Sequence, residues 1–373
     1  MKGLPPLLQI NLNFTDFKLA SLCFTTAFVV AMVCIPPLIL LLNKYRLHDK
    51  PDSRKEHSIP TPTLGGIAIM AGLVISMILW FPFSPSSEVM TCFFSITILF
   101  IMGITDDLKD LSAKYKFIIE IALAALIALS GIRITTFGGL FGFNDIPISA
   151  QYTFTILAIV GITNAFNLID GIDGLAGGLS FMSLVTLGIF LTISGDKNFA
   201  LIAFAFAGGV LAFLYFNINP AKIFMGDTGS LVLGLIIAIL CTKLIQNNNL
   251  QAQPLLKNTP LFALGIVLIP VYDALRVFAL RMWNGQSPFT PDRSHVHHLL
   301  TKAGLNHGLS STIICTAHAF ILLEVYWLDD FKPWFILLVL LATMTILTIC
   351  LNNLHRLTKQ KSSDTDQAAF ELR

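Results

Sequence analysis

Asn164, Asn167, Asp170 and Asp173 follow one another at intervals of three at the end of a long apolar stretch, and both aspartates are followed directly by glycine (Gly171, Gly174). Residues three apart share one face of a continuing helix, so the first three gather amide and carboxylate oxygens at a membrane boundary, where polar groups are expensive and usually functional. Oxygen donors of this kind suit Mg²⁺, which is commonly held by one or two carboxylates together with substrate phosphates. The plainer reading is Asn and Asp capping a helix at a turn.

Three other stretches carry similar chemistry. Asp106 and Asp107 close the apolar run 96–105, and adjacent carboxylates there call for a compensating cation. Lys116 could return to Asp107 or meet a substrate phosphate. Phe224 precedes Gly226-Asp227-Thr228-Gly229-Ser230, which opens another apolar span. The first N–H groups of a helix starting there are expected to be free for an anion, Asp227 is a second candidate metal ligand, and Phe224 is either core or a face on which a base stacks. Thr228 or Ser230 could equally be a simple N-cap. Finally, Asp292, Arg293, Ser294, His295, Val296, His297 and His298 fall in a polar loop. Histidines in H-x-H-H spacing do not easily turn three rings onto one zinc ion, so a cationic diphosphate-binding patch is the better expectation. Lys55 and His57 add basic groups that serve either a second phosphate or anionic headgroups.

The elements that must position these residues are transmembrane helices. Apolar residues make up 55% and charged residues 12% of 373, and mean hydropathy is +0.75, whereas soluble domains carry about 25% charged residues. Eleven helices are expected over 19–42, 64–82, 89–105, 117–133, 151–168, 175–194, 199–216, 228–246, 259–280, 311–328 and 334–354, forming one all-α polytopic membrane domain over 1–354. Residues 355–373 are polar and expected to be a disordered tail. Residues 1–18 lack a signal-peptide pattern, so the first span is expected to stay. Alternation places sixteen Lys and Arg on one face and seven on the other; the positive-inside rule makes the richer face cytoplasmic. The N-terminus is then outside, the C-terminus inside, and every motif above lies on the cytoplasmic face.

A net charge of +2 gives no support to a nucleic-acid partner. Six cysteines without a C-x-x-C pair are expected to pack as free thiols. Asp273 and Arg276, three apart within the ninth span, read as an internal ion pair, while Glu120 and Glu324 are intramembrane carboxylates with either functional or pairing roles. A secondary transporter would place such carboxylates near the bilayer midplane in broken helices, and an assembly scaffold would not need them.

Taken in order, the Asp-Asp pair, N-x-x-N-x-x-D-G-x-D-G-L, F-x-G-D-x-G-S-L and the late histidine motif resemble the polyprenyl-phosphate N-acetylhexosamine-1-phosphate transferases over roughly residues 44–300. The H-x-H-H form, with Val296 interrupting the run, resembles the bacterial undecaprenyl-phosphate N-acetylglucosamine-1-phosphate transferases; a UDP-muramyl-pentapeptide branch typically shows three consecutive histidines. The resemblance implies a Mg²⁺-dependent enzyme (Mn²⁺ as substitute) of the bacterial inner membrane that joins a UDP-sugar to undecaprenyl phosphate and starts a cell-surface polysaccharide. It implies Asn167 and Asp227 as metal ligands, Phe224 as a uracil platform, Asn164 among the substrate contacts, and Lys116, Arg293, His295, His297 and His298 on phosphates. Asp106, Asp107, Asp170 and Asp173 would be catalytic, the first two as base or as metal-associated groups. The oligomeric state stays open, a homodimer being compatible.

Overall fold

No backbone polar group can be left unpaired in hydrocarbon, so spanning segments of this composition must be helical. A computed structural model of the chain describes residues 14–49, 61–82, 86–143, 145–251, 254–287 and 294–371. Its helices are α1 (Phe14–Lys44), α2 (Gly66–Trp80), α3 (Ser87–Lys109), α4 (Ala113–Leu129), α5 (Ile148–Ile169), α6 (Leu175–Ile193), α7 (Lys197–Asn217), α8 (Asp227–Leu250), α9 (Thr259–Trp283), α10 (Val296–Lys302), α11 (His307–Trp327) and α12 (Pro333–Glu371). Each of the eleven expected stretches is helical. Among the described residues nine helices are long and apolar enough to cross a membrane; α2 and α4, at 15 and 17 residues, fall short of the ~20 that ~30 Å of hydrocarbon requires. The last helix runs on past 354 to Glu371; Leu, Lys, Gln and Ala in that stretch are all strong helix formers.

The axis of the molecule is α8. It carries no charge between Asp227 and Lys243 and is apolar all round, as a helix surrounded by others must be. Helices α2, α3, α5, α6 and α9 pack around it. Two glycines permit close crossings with α3 and α5: a Cβ on Gly103 of α3 would lie 2.6 Å from Cα of Thr228, and one on Gly234 of α8 would lie 2.7 Å from Cα of Thr163 in α5. Small residues at such points let backbones approach. At the far end of α8, Lys243 is buried but compensated, at 2.8 Å from Glu88 and 3.6 Å from Asp196.

One feature lies outside the all-helical expectation. His48–Asp49 (β1) pairs antiparallel with Thr61–Pro62 (β2). The ribbon is extended by bonds from Phe224 N to the Pro62 carbonyl (2.8 Å), from Gly65 N to the Phe224 carbonyl (2.9 Å) and from Gly66 N to the Met225 carbonyl (3.1 Å). These clamp the segment leading into α8. The cysteines Cys23, Cys34, Cys92, Cys241, Cys315 and Cys350 are free.

Candidate active site

Lys116, in the first turn of α4, stands between two carboxylates. Its Nζ donates to Asp106 Oδ2 and to Asp227 Oδ2, each at 2.9 Å. The lysine thus returns to Asp106 and not to Asp107, and ties the C-terminal end of α3 to the N-terminal end of α8. On the other side of Asp227, Asn167 Nδ2 donates to Asp227 Oδ1 (2.9 Å) and to Ser230 Oγ (3.0 Å). With its NH₂ group so committed, Asn167 has only its carbonyl oxygen left for a ligand. Asp106 also accepts from Leu111 N at 2.7 Å, which fixes the turn between α3 and α4.

Asp107 points elsewhere. Its carboxylate accepts from Asp227 N (2.8 Å), Thr228 N (3.0 Å) and the Thr228 hydroxyl. It is therefore an N-cap for α8 supplied by another helix, satisfying N–H groups that would otherwise be orphaned and placing a negative charge at the positive end of the helix dipole. The expectation that those N–H groups are open to an anion is corrected: Asp107 occupies them. Gly226, at φ 71°, allows this approach, since a Cβ there would lie 2.5 Å from Asp107 Oδ2.

Asp170, just past the end of α5, has no side-chain hydrogen bond among the described residues. Burial, and then the carboxylates of Asp227, Asp107 and Asp173, push its pKa up to about 7. A carboxyl so placed would be relieved by a cation. Asp173 is turned away from this cluster: Oδ2 accepts from Asn219 Nδ2 (3.0 Å) and Ala221 N (3.1 Å), and His307 Nδ1 lies 3.4 Å from Oδ1. Burial works to raise its pKa, but the bonds from His307, Asn219 and Ala221 outweigh it and hold the carboxyl below the usual carboxylate range. Asp173 joins the α5–α6 turn to the loop after α7 and to the start of α11. Asn164 faces α4, donating to Glu120 Oε2 and to its own helix at the Val160 carbonyl (2.9 Å). That contact accounts for Glu120, buried one turn beyond Lys116.

The histidine motif reaches the same place from the far end of the sequence. The ring of His297 lies against Gly171, where any Cβ would collide with it. His295 stacks on His297 with centroids 5.7 Å apart and planes 8° from parallel, and His298 lies 4.2 Å from His297. Asp273 and Arg276 form the internal ion pair expected from their spacing, at 2.8 Å. Asp273 also holds His295 Nδ1 (2.8 Å) and Val296 N (3.0 Å). The spacing of Asp273 and Arg276 suggests an i,i+3 pair but contains no signal for this link. Phe224 is half-buried, its backbone clamped by the ribbon. Lys55, His57 and Arg293 lie outside the described residues.

Among the described residues no three His, Cys, Asp or Glu side chains make a ready metal cage. The donors available to a cation are the oxygens of Asp170, Asp227 and Asn167. A hard divalent ion that completes its shell with water and substrate phosphates fits this set better than a fully protein-ligated ion.

The glycosyl transferase family 4 model matches residues 89–245, a stretch that contains Asp106, Lys116, Asn167 and Asp227. The chain is 34% identical over 333 residues to the probable undecaprenyl-phosphate N-acetylglucosaminyl 1-phosphate transferase of Bacillus subtilis, covering 87% of this chain and 90% of that protein. It is 33% identical over 283 residues to the undecaprenyl-phosphate alpha-N-acetylglucosaminyl 1-phosphate transferase of Yersinia pestis (74% and 75% covered) and 31% identical over 309 residues to that of Escherichia coli strain K12 (80% and 81% covered).

Proposed function

The chain belongs to glycosyl transferase family 4, and from that membership we propose that it transfers N-acetylglucosamine 1-phosphate from UDP-N-acetylglucosamine to undecaprenyl phosphate. UMP leaves, and the lipid-diphosphate sugar starts a cell-surface polysaccharide. The observation that carries this reading is the junction of α3, α4, α5 and α8, where Lys116, Asp106, Asp227 and Asn167 are bonded together beside the histidines on Gly171.

An oxygen of the lipid phosphate attacks the β-phosphorus of the nucleotide, and the bond between that phosphorus and the oxygen bridging to the α-phosphate breaks. A phosphate monoester has a second pKa near 6, so the nucleophile is largely ionised already and needs positioning and charge neutralisation more than a base. Asp107, saturated by α8, then serves by fixing Asp227. Lys116 holds Asp106 and Asp227 at one spacing and lowers the local negative charge that two anionic substrates must approach. His295, His297 and His298, with Arg293, receive the nucleotide's phosphates, and Phe224 offers its face to uracil. Asp170, Asp227 and Asn167 would hold Mg²⁺, or Mn²⁺ in its place, which supplies neutralisation of the phosphate oxygens.

The site is assigned to the cytoplasmic face of a bacterial inner membrane, with the N-terminus outside and the C-terminus inside, an arrangement in which the short helices α2 and α4 cross as well and bring the spans to eleven. Supporting this, the site draws on the C-terminal ends of α3, α5 and α9 and the N-terminal ends of α4 and α8, as alternating spans require. Purified protein stripped with EDTA is expected to release UMP from UDP-N-acetylglucosamine only when Mg²⁺ or Mn²⁺ is restored. Turnover only with another UDP-acetamido sugar or UDP-muramyl-pentapeptide would overturn the sugar assignment, and turnover in EDTA would overturn the cation.

A further inference from the structure

Asp273 is 1% exposed inside α9, and a carboxylate so buried needs partners that compensate it. It has three. Arg276 donates to Oδ1 at 2.8 Å, Val296 N donates to Oδ1 at 3.0 Å, and His295 Nδ1 lies 2.8 Å from Oδ2. Arg276 also donates to the Ser294 carbonyl. Two side chains of a membrane helix therefore hold residues 294–296, the entry to α10. We propose that Asp273 is a positioning residue for nucleotide binding, which through Nδ1 of His295 determines the ring nitrogen that meets a phosphate, and with Arg276 sets the path of the chain into the histidine motif. The inference rests on the transferase reading above, since that reading makes the histidines phosphate contacts.

The two nitrogens of a histidine are distinct, and the bond made by one settles the state of the other. A carboxylate accepts only, so Nδ1 carries the proton and Nε2 is the nitrogen left for a ligand; Nε2 has no hydrogen bond among the described residues. A ligand that reaches His295 therefore meets Nε2. Among the described residues, the charged and titratable groups shown beside His295 are Asp273, with its partner Arg276, from α9 and His297 and His298 from α10. Of the helices packed on α10, α11 brings His307, engaged with Asp173, and α12 has no charged side chain between 333 and 354.

The test compares Asp273→Asn, Asp273→Glu, His295→Gln and the Asp273→Asn/His295→Gln pair in detergent. Asp273→Asn is expected to lower kcat/KM for UDP-N-acetylglucosamine about tenfold or more, the scale of one charge-assisted hydrogen bond lost, with KM for undecaprenyl phosphate changed less than ~2-fold. Asp273→Glu should recover part of the loss, and Asp273→Asn should cost nothing further once His295 is Gln. Equal losses toward both substrates, or additive losses in the pair, would overturn the proposal. Histidine-labelled protein read by nitrogen NMR gives an answer independent of turnover: the resonance missing in His295→Gln should report protonated Nδ1 in the neutral ring. The opposite tautomer would overturn the proposal even if Asp273→Asn failed to fold. If the wild type turned over no UDP-sugar, the transferase reading would fail while the NMR result still decided the role of Asp273.

Discussion

The two adjacent carboxylates at the end of α3 do different work although nothing in their sequence distinguishes them. Asp106 meets Lys116, and Asp107 caps α8. Replacing Lys116 with Met leaves Asp106 and Asp227 facing each other without a cation, and kcat is expected to fall about 10²- to 10³-fold, as when one charge-stabilising donor is removed; steady-state UMP release measures it. Asp170 makes a pH prediction. Its carboxyl, raised to about 7, binds a proton more tightly folded than unfolded, so between about pH 4 and 7 the folded state holds more protons and stability falls as pH rises. Thermal melting in EDTA should show that fall, Asp170→Asn should flatten it, and Mg²⁺ should oppose it. A pH-independent difference between wild type and Asp170→Asn would contradict the account. The oxygen-donor motif was legible because Asn164, Asn167 and Asp170 repeat at helical spacing. The division of labour within it was not: Asn164 turns to Glu120 and Asp173 to Asn219, and such choices depend on which helix lies opposite.

At the scale of the elements, hydropathy was enough to find the helices because hydrocarbon demands long apolar runs with all backbone groups paired. It could not find α10, seven residues long, whose start is held by Asp273 from another part of the chain, nor the β1–β2 ribbon, which is made by backbone bonds to Phe224 and Met225. The precision of the site depends on how closely α3 crosses α8. Gly103→Val would force Thr228 away from α3 and with it the Asp107 cap. Overpacking of this kind costs about 1–3 kcal/mol, and the variant is expected to melt lower and to lose at least tenfold in kcat. Unchanged activity would show that the crossing does not position Asp227.

The whole molecule is a sleeve of helices around α8, with the Lys116 cluster at one end and the Lys243, Glu88 and Asp196 cluster at the other. The sidedness of that arrangement is testable in intact cells. A cysteine introduced at 222, in the exposed loop after α7, should resist a membrane-impermeant maleimide, while one at 197 should label; the reverse pattern would invert the orientation. In the proposed reaction the sugar phosphate itself passes to the lipid at Asp227. The most direct measurement supplies purified protein and undecaprenyl phosphate with UDP-N-acetylglucosamine labelled at the β-phosphorus. The label should appear in a lipid diphosphate in one-to-one ratio with UMP, and Asp227→Asn should abolish both. Label left in released UDP or inorganic phosphate, or undiminished product from Asp227→Asn, would contradict it.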